Sequence, residues 1–247
     1  MNIALLGYGK MGQLIERFAQ KRGHNIQLIV DENNRENIDA TDLNGIDVAI
    51  DFSRPEAAVA NIDLCFAADV PIVVGTTGWY NDLEAVKKRC SNGNKTLLYG
   101  SNFSIGVNVF FHINKLLASV MNPYKQYDVQ VEEIHHTQKL DAPSGTAITI
   151  AEGIIGQNDA KTGWINNLIG EGDESVPRPH ELLIESHRID EVPGTHTVLY
   201  SSEVDQLEFK HTAHSRAGFA LGAVVAAEWL QGRTGFYEVS EMFNFHL

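Results

Sequence analysis

The sequence predicts an α/β chain: a parallel sheet wound by helices comes first, and an α+β half with an antiparallel or mixed sheet follows. Three observations carry this. Short apolar runs alternate with helical patterns from Asn2 to Tyr99, which implies a parallel sheet with helices on both faces. Beyond Met121, apolar runs follow one another without long helices between them, which suits antiparallel or mixed pairing. The polar motifs of the first half fall at the carboxyl ends of its strands, where ligands bind on such sheets.

The elements follow in order. Asn2–Leu6 reads as a strand, followed by glycines and a helical pattern from Met11 to about Lys21. Ile26–Val30 is a second strand ending in Asp31 and Glu32, and Val48–Ile50 a third ending in Asp51-Phe52-Ser53. A helix from Glu56 to about Ala68, a strand Ile72–Val74, a helix Tyr80–Cys90 and a strand Thr96–Tyr99 complete the alternation. Ile105–Met121 has helical periodicity and leads out of the first domain, and Asn122-Pro123 ends it. Tyr127–His135 alternates through Val129, Val131, Glu133 and His135 as a strand does. Leu182–His187, His196–Ser201 and Leu207–His214 are further strands. Lys161–Pro179, polar with three glycines and two prolines, reads as a surface loop. Ala217–Leu230 is apolar nearly all round, as a helix buried against a sheet or another subunit would be.

The chain has 247 residues, 43% of them hydrophobic and 21% charged, which is room for one large domain or two small ones with real cores. No apolar run approaches the roughly 20 residues of a membrane span. Met1–Leu6 passes straight into a strand pattern with no basic n-region and no small-residue cleavage site, so no signal peptide is expected. Cys65 and Cys90 both fall in helical segments, and their spacing suits no metal site. They are expected to be buried and reduced, in a cytoplasmic protein. The 32 acidic and 19 basic residues give a formal charge of -13, which argues against nucleic acid as a partner and leaves room for a small anion in a local basic pocket.

Gly7-Tyr8-Gly9-Lys10-Met11-Gly12 is a G-x-G-x-x-G turn. The pattern alone is weak, but this one follows a strand directly and opens a helix, and Asp31 ends the next strand about 20 residues on, where its carboxylate can accept from ribose hydroxyls. That context points to a dinucleotide. Gly7 makes the tight turn, Gly9 lets the backbone approach pyrophosphate, and Gly12 permits close helix–sheet packing. An NADP site usually places a cation beside the 2′-phosphate, whereas Asp31-Glu32-Asn33-Asn34 offers two carboxylates, with Lys10 and Arg35 as partial compensation. NADH is therefore expected to serve at least as well as NADPH. The three strand ends Asp51-Phe52-Ser53, Gly75-Thr76-Thr77-Gly78 and Gly100-Ser101-Asn102-Phe103-Ser104 can approach a ribose and a nicotinamide ring. Each alone reads as an ordinary strand-to-helix turn; together, beside the glycine turn, they outline a cofactor cleft.

His135-His136-Thr137-Gln138-Lys139 gathers two imidazoles and an ammonium just before a helix start. Asp141 or Ser144 can cap that helix, Pro143 suits its first turn, and Gly145 and Thr146 present backbone N–H groups, so the stretch can hold an anion. Mid-strand neighbours point to opposite faces, so His135 and His136 can share a pocket only if the strand ends there. Lys139 can fold back towards either. Another dinucleotide-dependent dehydrogenase and a non-catalytic nucleotide sensor both fit the glycine turn, but neither needs this cluster.

The block Glu133-Ile134-His135-His136, then Lys139, then Asp141-Ala142-Pro143-Ser144-Gly145-Thr146-Ala147, is similar to the signature of the dihydrodipicolinate (4-hydroxy-tetrahydrodipicolinate) reductase family. Gly75–Gly78, Ser101–Asn108 and Ser215–Ala220 add to the likeness, in the expected order along nearly the whole chain. The resemblance implies a Rossmann-like dinucleotide-binding domain (residues 1–104 and 216–247) and a mixed-sheet substrate and tetramerisation domain (residues 105–215). It implies NADH or NADPH as cofactor, a small dicarboxylate substrate in the diaminopimelate route to lysine, a homotetramer and no membrane partner. It also implies His135 as the acid, Lys139 as its assistant and a substrate contact, and His136 with Gly145 and Thr146 as the carboxylate site. The chain departs from the family's pattern in a glycine turn one residue shorter, in Glu32 where a basic residue is usual, and in Asp190 where a glycine is usual.

Overall fold

The computed structural model describes residues 1–170 and 175–243. Its elements are β1 (Asn2–Leu6), α1 (Lys10–Lys21), β2 (Asn25–Val30), β3 (Val48–Asp51), α2 (Pro55–Ala67), β4 (Ile72–Val74), α3 (Leu83–Asn92), β5 (Thr96–Tyr99), α4 (Ile105–Met121), β6 (Asp128–His135), α5 (Gly145–Ile155), β7 (Gly163–Leu168), β8 (Glu181–Arg188), β9 (Thr195–Ser201), β10 (Gln206–Thr212), α6 (Ala217–Leu230) and β11 (Gly235–Glu238). The chain divides into two compact units, one of residues 1–108 with the chain from Arg216 onward, the other Val109–Ser215.

The first unit is a six-stranded parallel sheet in the order β11-β5-β4-β3-β1-β2. Strand alternation sends Ala4, Leu6, Ala49, Ile72, Val74 and Leu97 to one face, where Ile62 and Cys65 of α2 and Val86 and Cys90 of α3 cover them. Ile3, Leu5, Val48, Ile50, Val73 and Leu98 face the other way, onto Ile15 and Ala19 of α1 and the alanine-rich α6. With both faces covered, the strands are continuous apolar runs. The two cysteines are buried and unpaired. Helix α6 has no polar face because it lies in this core: a Cβ on Gly222 would stand 1.7 Å from the Phe103 carbonyl oxygen. The segment expected as one helix over Tyr80–Cys90 begins instead as a 3-10 turn, Tyr80–Asp82, before α3. Strand β11, which lacks an alternating pattern, extends the sheet beside β5.

The second unit is a mixed sheet in the order β10-β9-β6-β8-β7. Strand β6 pairs antiparallel with β9 and parallel with β8. Val129, Val131, Leu182, Ile184 and Val198 pack on one face with Phe110, Ala118, Ala147, Ile150 and Ile154 from α4 and α5. The expected surface loop Lys161–Pro179 contains a strand, β7, parallel to β8, while its residues 171–174 lie outside the described ones. The strand is an edge with polar Asn166 and Asn167, so its pattern is faint. It is anchored just before its start by the buried Lys161, whose ammonium donates to the Pro179 and Glu181 carbonyls at 3.2 and 3.0 Å. Among the described residues no helix is long and apolar enough to cross a membrane.

Gly222→Ala is expected to destabilise the chain by about 1–3 kcal/mol, since the methyl group meets backbone that cannot move aside. Urea denaturation checks this, and an unchanged midpoint would show that α6 does not pack as described.

Candidate active site

In the first unit a cleft of about 420 Å³ opens at the carboxyl ends of β1, β2 and β3. Gly7, Gly9 and Asp31 are among the residues that line it. Gly7 sits at φ +96°, and a Cβ there would lie 2.3 Å from the Phe52 carbonyl oxygen, so the turn admits no side chain. A Cβ on Gly9 would meet nothing within 4 Å, so the backbone before α1 faces open space. Lys10 and Met11 form the first turn of α1, and Gly12 packs on the Gly7 carbonyl.

Asp31 projects into the cleft, and one of its oxygens accepts from Asn33 N at 2.8 Å. Arg35, a cation proposed to offset the carboxylates, is turned to the protein: Nε donates to Asn61 Oδ1 at 2.8 Å and Nη2 to the Ala60 carbonyl at 3.1 Å. Arg54 was not anticipated. It lines the cleft, is paired with Glu32 across it, and both side chains are about two-thirds exposed (67% and 69%). Its distance from Asp31 in sequence hid it.

Asp51, wholly buried at the end of β3, accepts from Thr76 Oγ1 at 2.6 Å, Asn61 Nδ2 at 2.8 Å and Ser53 Oγ at 2.8 Å. Burial raises its pKa, and these bonds act against that rise. They tie the loops after β3 and β4 to α2. Thr76 therefore offers a ligand its backbone rather than its hydroxyl, while Thr77 is exposed. Gly75 packs against the tip of the Phe52 ring, where a Cβ would lie 2.1 Å from Cζ. At the end of β5, Ser101 is exposed, Asn102 accepts from Ser104 N at 2.9 Å, and Phe103 is buried against Phe52. Strand order places these loops in a row along the same sheet edge, beside the cleft but not among the residues lining it.

In the second unit the ladder builds the cluster. Across three adjacent strands the register sets Ser186, Glu133 and His196 side by side, with His135 two residues further along β6, opposite Arg188. Glu133 is wholly buried and accepts from Ser144 N at 3.1 Å and Ser186 Oγ at 2.8 Å, with the Arg188 guanidinium 3.5 Å away. His135 Nε2 and His196 Nε2 lie 3.6 and 3.7 Å from its other oxygen, and Ser144 Oγ lies 3.2 Å from His196 Nε2. Burial pushes the Glu133 carboxyl up, but His196, Ser144 and Ser186 outweigh it and hold the group at about 2. Burial, then the charge of His196, pulls His135 down to about 4, with Lys139 and Arg188 adding to this and Glu133 opposing it.

Strand β6 ends at His135, so His136 is released from strand alternation and is only partly buried. Lys139 folds back neither to His135 nor to His136 but onto Asp141, 2.8 Å from both carboxylate oxygens. Ser144, not Asp141, caps α5, accepting from Ala147 N at 3.2 Å. Pro143 precedes the cap after a cis peptide instead of opening the first turn. Gly145 and Thr146 form that turn, and a Cβ on Gly145 would meet nothing within 4 Å. Asp190 stands at φ +42°, a conformation that glycine adopts freely and aspartate tolerates better than most residues. The sequence reading gave Glu133 and His196 no role, although a carboxylate following Val129 and Val131 on the apolar face of a strand is itself a signal.

The amino-terminal model of the dihydrodipicolinate reductase family matches residues 1–103, and its carboxy-terminal model residues 106–243. A 4-hydroxy-tetrahydrodipicolinate reductase of Christiangramia forsetii is 50% identical over 244 residues, 99% of this chain and 98% of that protein. Its counterpart in Neisseria gonorrhoeae is 36% identical over 80% of this chain and 72% of that protein. The fold is similar to that of a dipicolinate-bound dihydrodipicolinate reductase from Paenisporosarcina sp. TG-14, with TM-score 0.79 at 23% identity over 98% of this chain and 99% of that one. The chain belongs to the dihydrodipicolinate reductase family, whose members are NAD(P)H-dependent oxidoreductases.

Proposed function

We propose that the two units divide the family's reaction, the reduction of 4-hydroxy-tetrahydrodipicolinate to tetrahydrodipicolinate, with the dinucleotide held in the first and the substrate held and protonated in the second. The observation that carries this reading is His135 beside a wholly buried carboxylate, at a strand end shared with Lys139 and the α5 amino terminus. Bound in the first unit, reduced nicotinamide supplies the hydride. Gly7, Gly9, Lys10, Met11 and Gly12 cradle the pyrophosphate, and Asp31 accepts from ribose. The backbone of Gly75, Thr76 and Thr77, with Ser101, Asn102 and Phe103, shapes the nicotinamide end.

The substrate is a cyclic imine with two carboxylates. His136 and the N–H groups of Gly145 and Thr146 hold one of them, since a helix amino terminus favours an anion. Lys139 leaves Asp141 for the other. Loss of the 4-hydroxyl as water leaves a conjugated ring, and hydride addition makes it an enamine that needs a proton. His135 gives that proton, with Glu133 and His196 beside its inward-facing nitrogen. In the ligand-free chain His135 is neutral at pH 7, because its pKa lies near 4. Two arriving carboxylates offset Lys139 and Arg188 and raise that pKa, so the acid is armed by its own substrate.

Cofactor choice turns on Glu32 and Arg54. With NADH, Arg54 stays on Glu32; with NADPH it transfers to the 2′-phosphate. Asp31 and Glu32 keep NADH at least as good. Assembly as a homotetramer rests on the family likeness and is supported by the sheet face of the second unit away from α4 and α5, where Leu183 and Leu199 stand unclustered; the mass in solution tests it.

His135→Ala is expected to lower kcat by about 10²–10⁴-fold, and His136→Ala, which removes a side chain placed on the substrate carboxylate, mainly to raise KM. The assay is NADH oxidation with substrate made in situ from pyruvate and aspartate semialdehyde by the preceding synthase; full turnover in His135→Ala would refute its role. Arg54→Gln should raise KM for NADPH by about tenfold or more and leave KM for NADH nearly unchanged. An equal effect on both would remove Arg54 from phosphate recognition. Dipicolinate, a planar dicarboxylate, should bind the NADH-loaded chain at pH 7 with net proton uptake, since a pKa below 7 rises on binding. Calorimetry in buffers of different ionisation enthalpy measures it, and no uptake, or uptake unchanged in His135→Asn, contradicts the arming of His135.

A further inference from the structure

Glu133 Oε2, His135 Nε2 and His196 Nε2 form a nearly equilateral triangle with sides of 3.4, 3.6 and 3.7 Å. Two sides exceed a charge-assisted hydrogen bond of about 2.7–2.9 Å, and the nitrogen–nitrogen side is at the outer limit for any hydrogen bond. None of the three atoms therefore satisfies another well. The point equidistant from all three lies about 2.1 Å from each, the length of a zinc–nitrogen or zinc–oxygen bond. The side chains are 0%, 12% and 6% exposed, so the triangle is preformed and largely dry. The carboxylate is also oriented from behind by Ser144 N and Ser186 Oγ, as the carboxylate of a metal site is. Of the described residues, these three form the group of His, Cys, Asp and Glu ligands close enough to share one ion.

We propose that Glu133, His135 and His196 form a binding site for a zinc-type divalent cation, and that the cation in place switches the reductase off by occupying the imidazole of His135. The switching half rests on the role proposed above for His135; the binding half does not. Two imidazole nitrogens and one carboxylate oxygen select zinc and its transition-metal neighbours over magnesium or calcium, which prefer all-oxygen shells. Ser144 Oγ, 3.2 Å from His196 Nε2, stands at the rim as a further oxygen. Arg188 near the other Glu133 oxygen adds positive charge that opposes a cation, so the site loads and empties with the free metal concentration.

The test is titration of the full chain, first stripped with a chelator, with Co²⁺ followed by visible absorption, then back-titration with Zn²⁺. One equivalent of cobalt with the intense bands of a low-coordinate nitrogen–oxygen site is expected, displaced by zinc and not by magnesium. Glu133→Gln and His196→Gln should each lose that equivalent or bind it more than about tenfold more weakly. Equal cobalt spectra in the wild type and in His196→Gln would overturn the site. Should Glu133→Gln fail to fold, His196→Gln and His135→Asn carry the same comparison. NADH oxidation is followed in parallel, with inhibition by zinc and recovery on adding chelator as the expected result. Cobalt bound in the triangle with full turnover retained would leave the cation site standing and overturn both the switch and the role of His135.

Discussion

A carboxylate with no access to water governs the second unit. Glu133 lies at the centre of its sheet, and an unpaired charge there would cost several kcal/mol. Neighbouring elements converge to prevent this: Ser186 from β8, His196 from β9, the Ser144 amide at the start of α5, and Arg188 beyond. The same convergence sets where α5 begins, which way its amino terminus points, and which nitrogen of His135 faces inward. Ser144 serves twice, its amide on Glu133 and its hydroxyl on Ala147 N, so helix cap and buried charge are one structure. A site with these requirements tolerates little slippage, because a one-residue shift of β6 would send Glu133 to the opposite face of the sheet.

The first unit meets the same demand with hydrogen bonds instead of ions. Asp51 is also wholly buried, but its partners are Thr76, Asn61 and Ser53, and among the described residues no cation pairs with it. Its pKa accordingly moves up while that of Glu133 moves down, which shows that the neighbours and not burial alone decide the sign. Asp51 stiffens the loops under the cleft, and Asn61 passes that rigidity on by holding Arg35. What remains adjustable is Arg54 on exposed Glu32, a weak surface pair that a phosphate can break.

The alternation of strand and helix, the glycine turn, the buried all-apolar helix α6 and the histidine–lysine–helix block were legible in the residues, because each depends on local spacing: periods of two and 3.6, or a fixed offset along a turn. Strand β7 was not, because an edge strand with asparagines has a weak period and gains its place from pairing with β8. The pairing of Lys139 with Asp141 was also out of reach: a flexible ammonium has several partners within range, and sequence does not rank them.

By itself the sequence determined the class of each half and the glycine turn, which follow from hydrophobic period and backbone sterics, and its motifs pointed to the family; the cap of α5 it left between Asp141 and Ser144. Only the tertiary structure decided that His196 joins Glu133 and His135, and that Arg54 pairs with Glu32 at the cleft while the Arg35 guanidinium is bonded to Asn61 and Ala60. His196 is 61 residues from His135 in the chain, and the antiparallel register of β6 with β9, set by which side chains can be buried together, makes it a neighbour of Glu133 and His135.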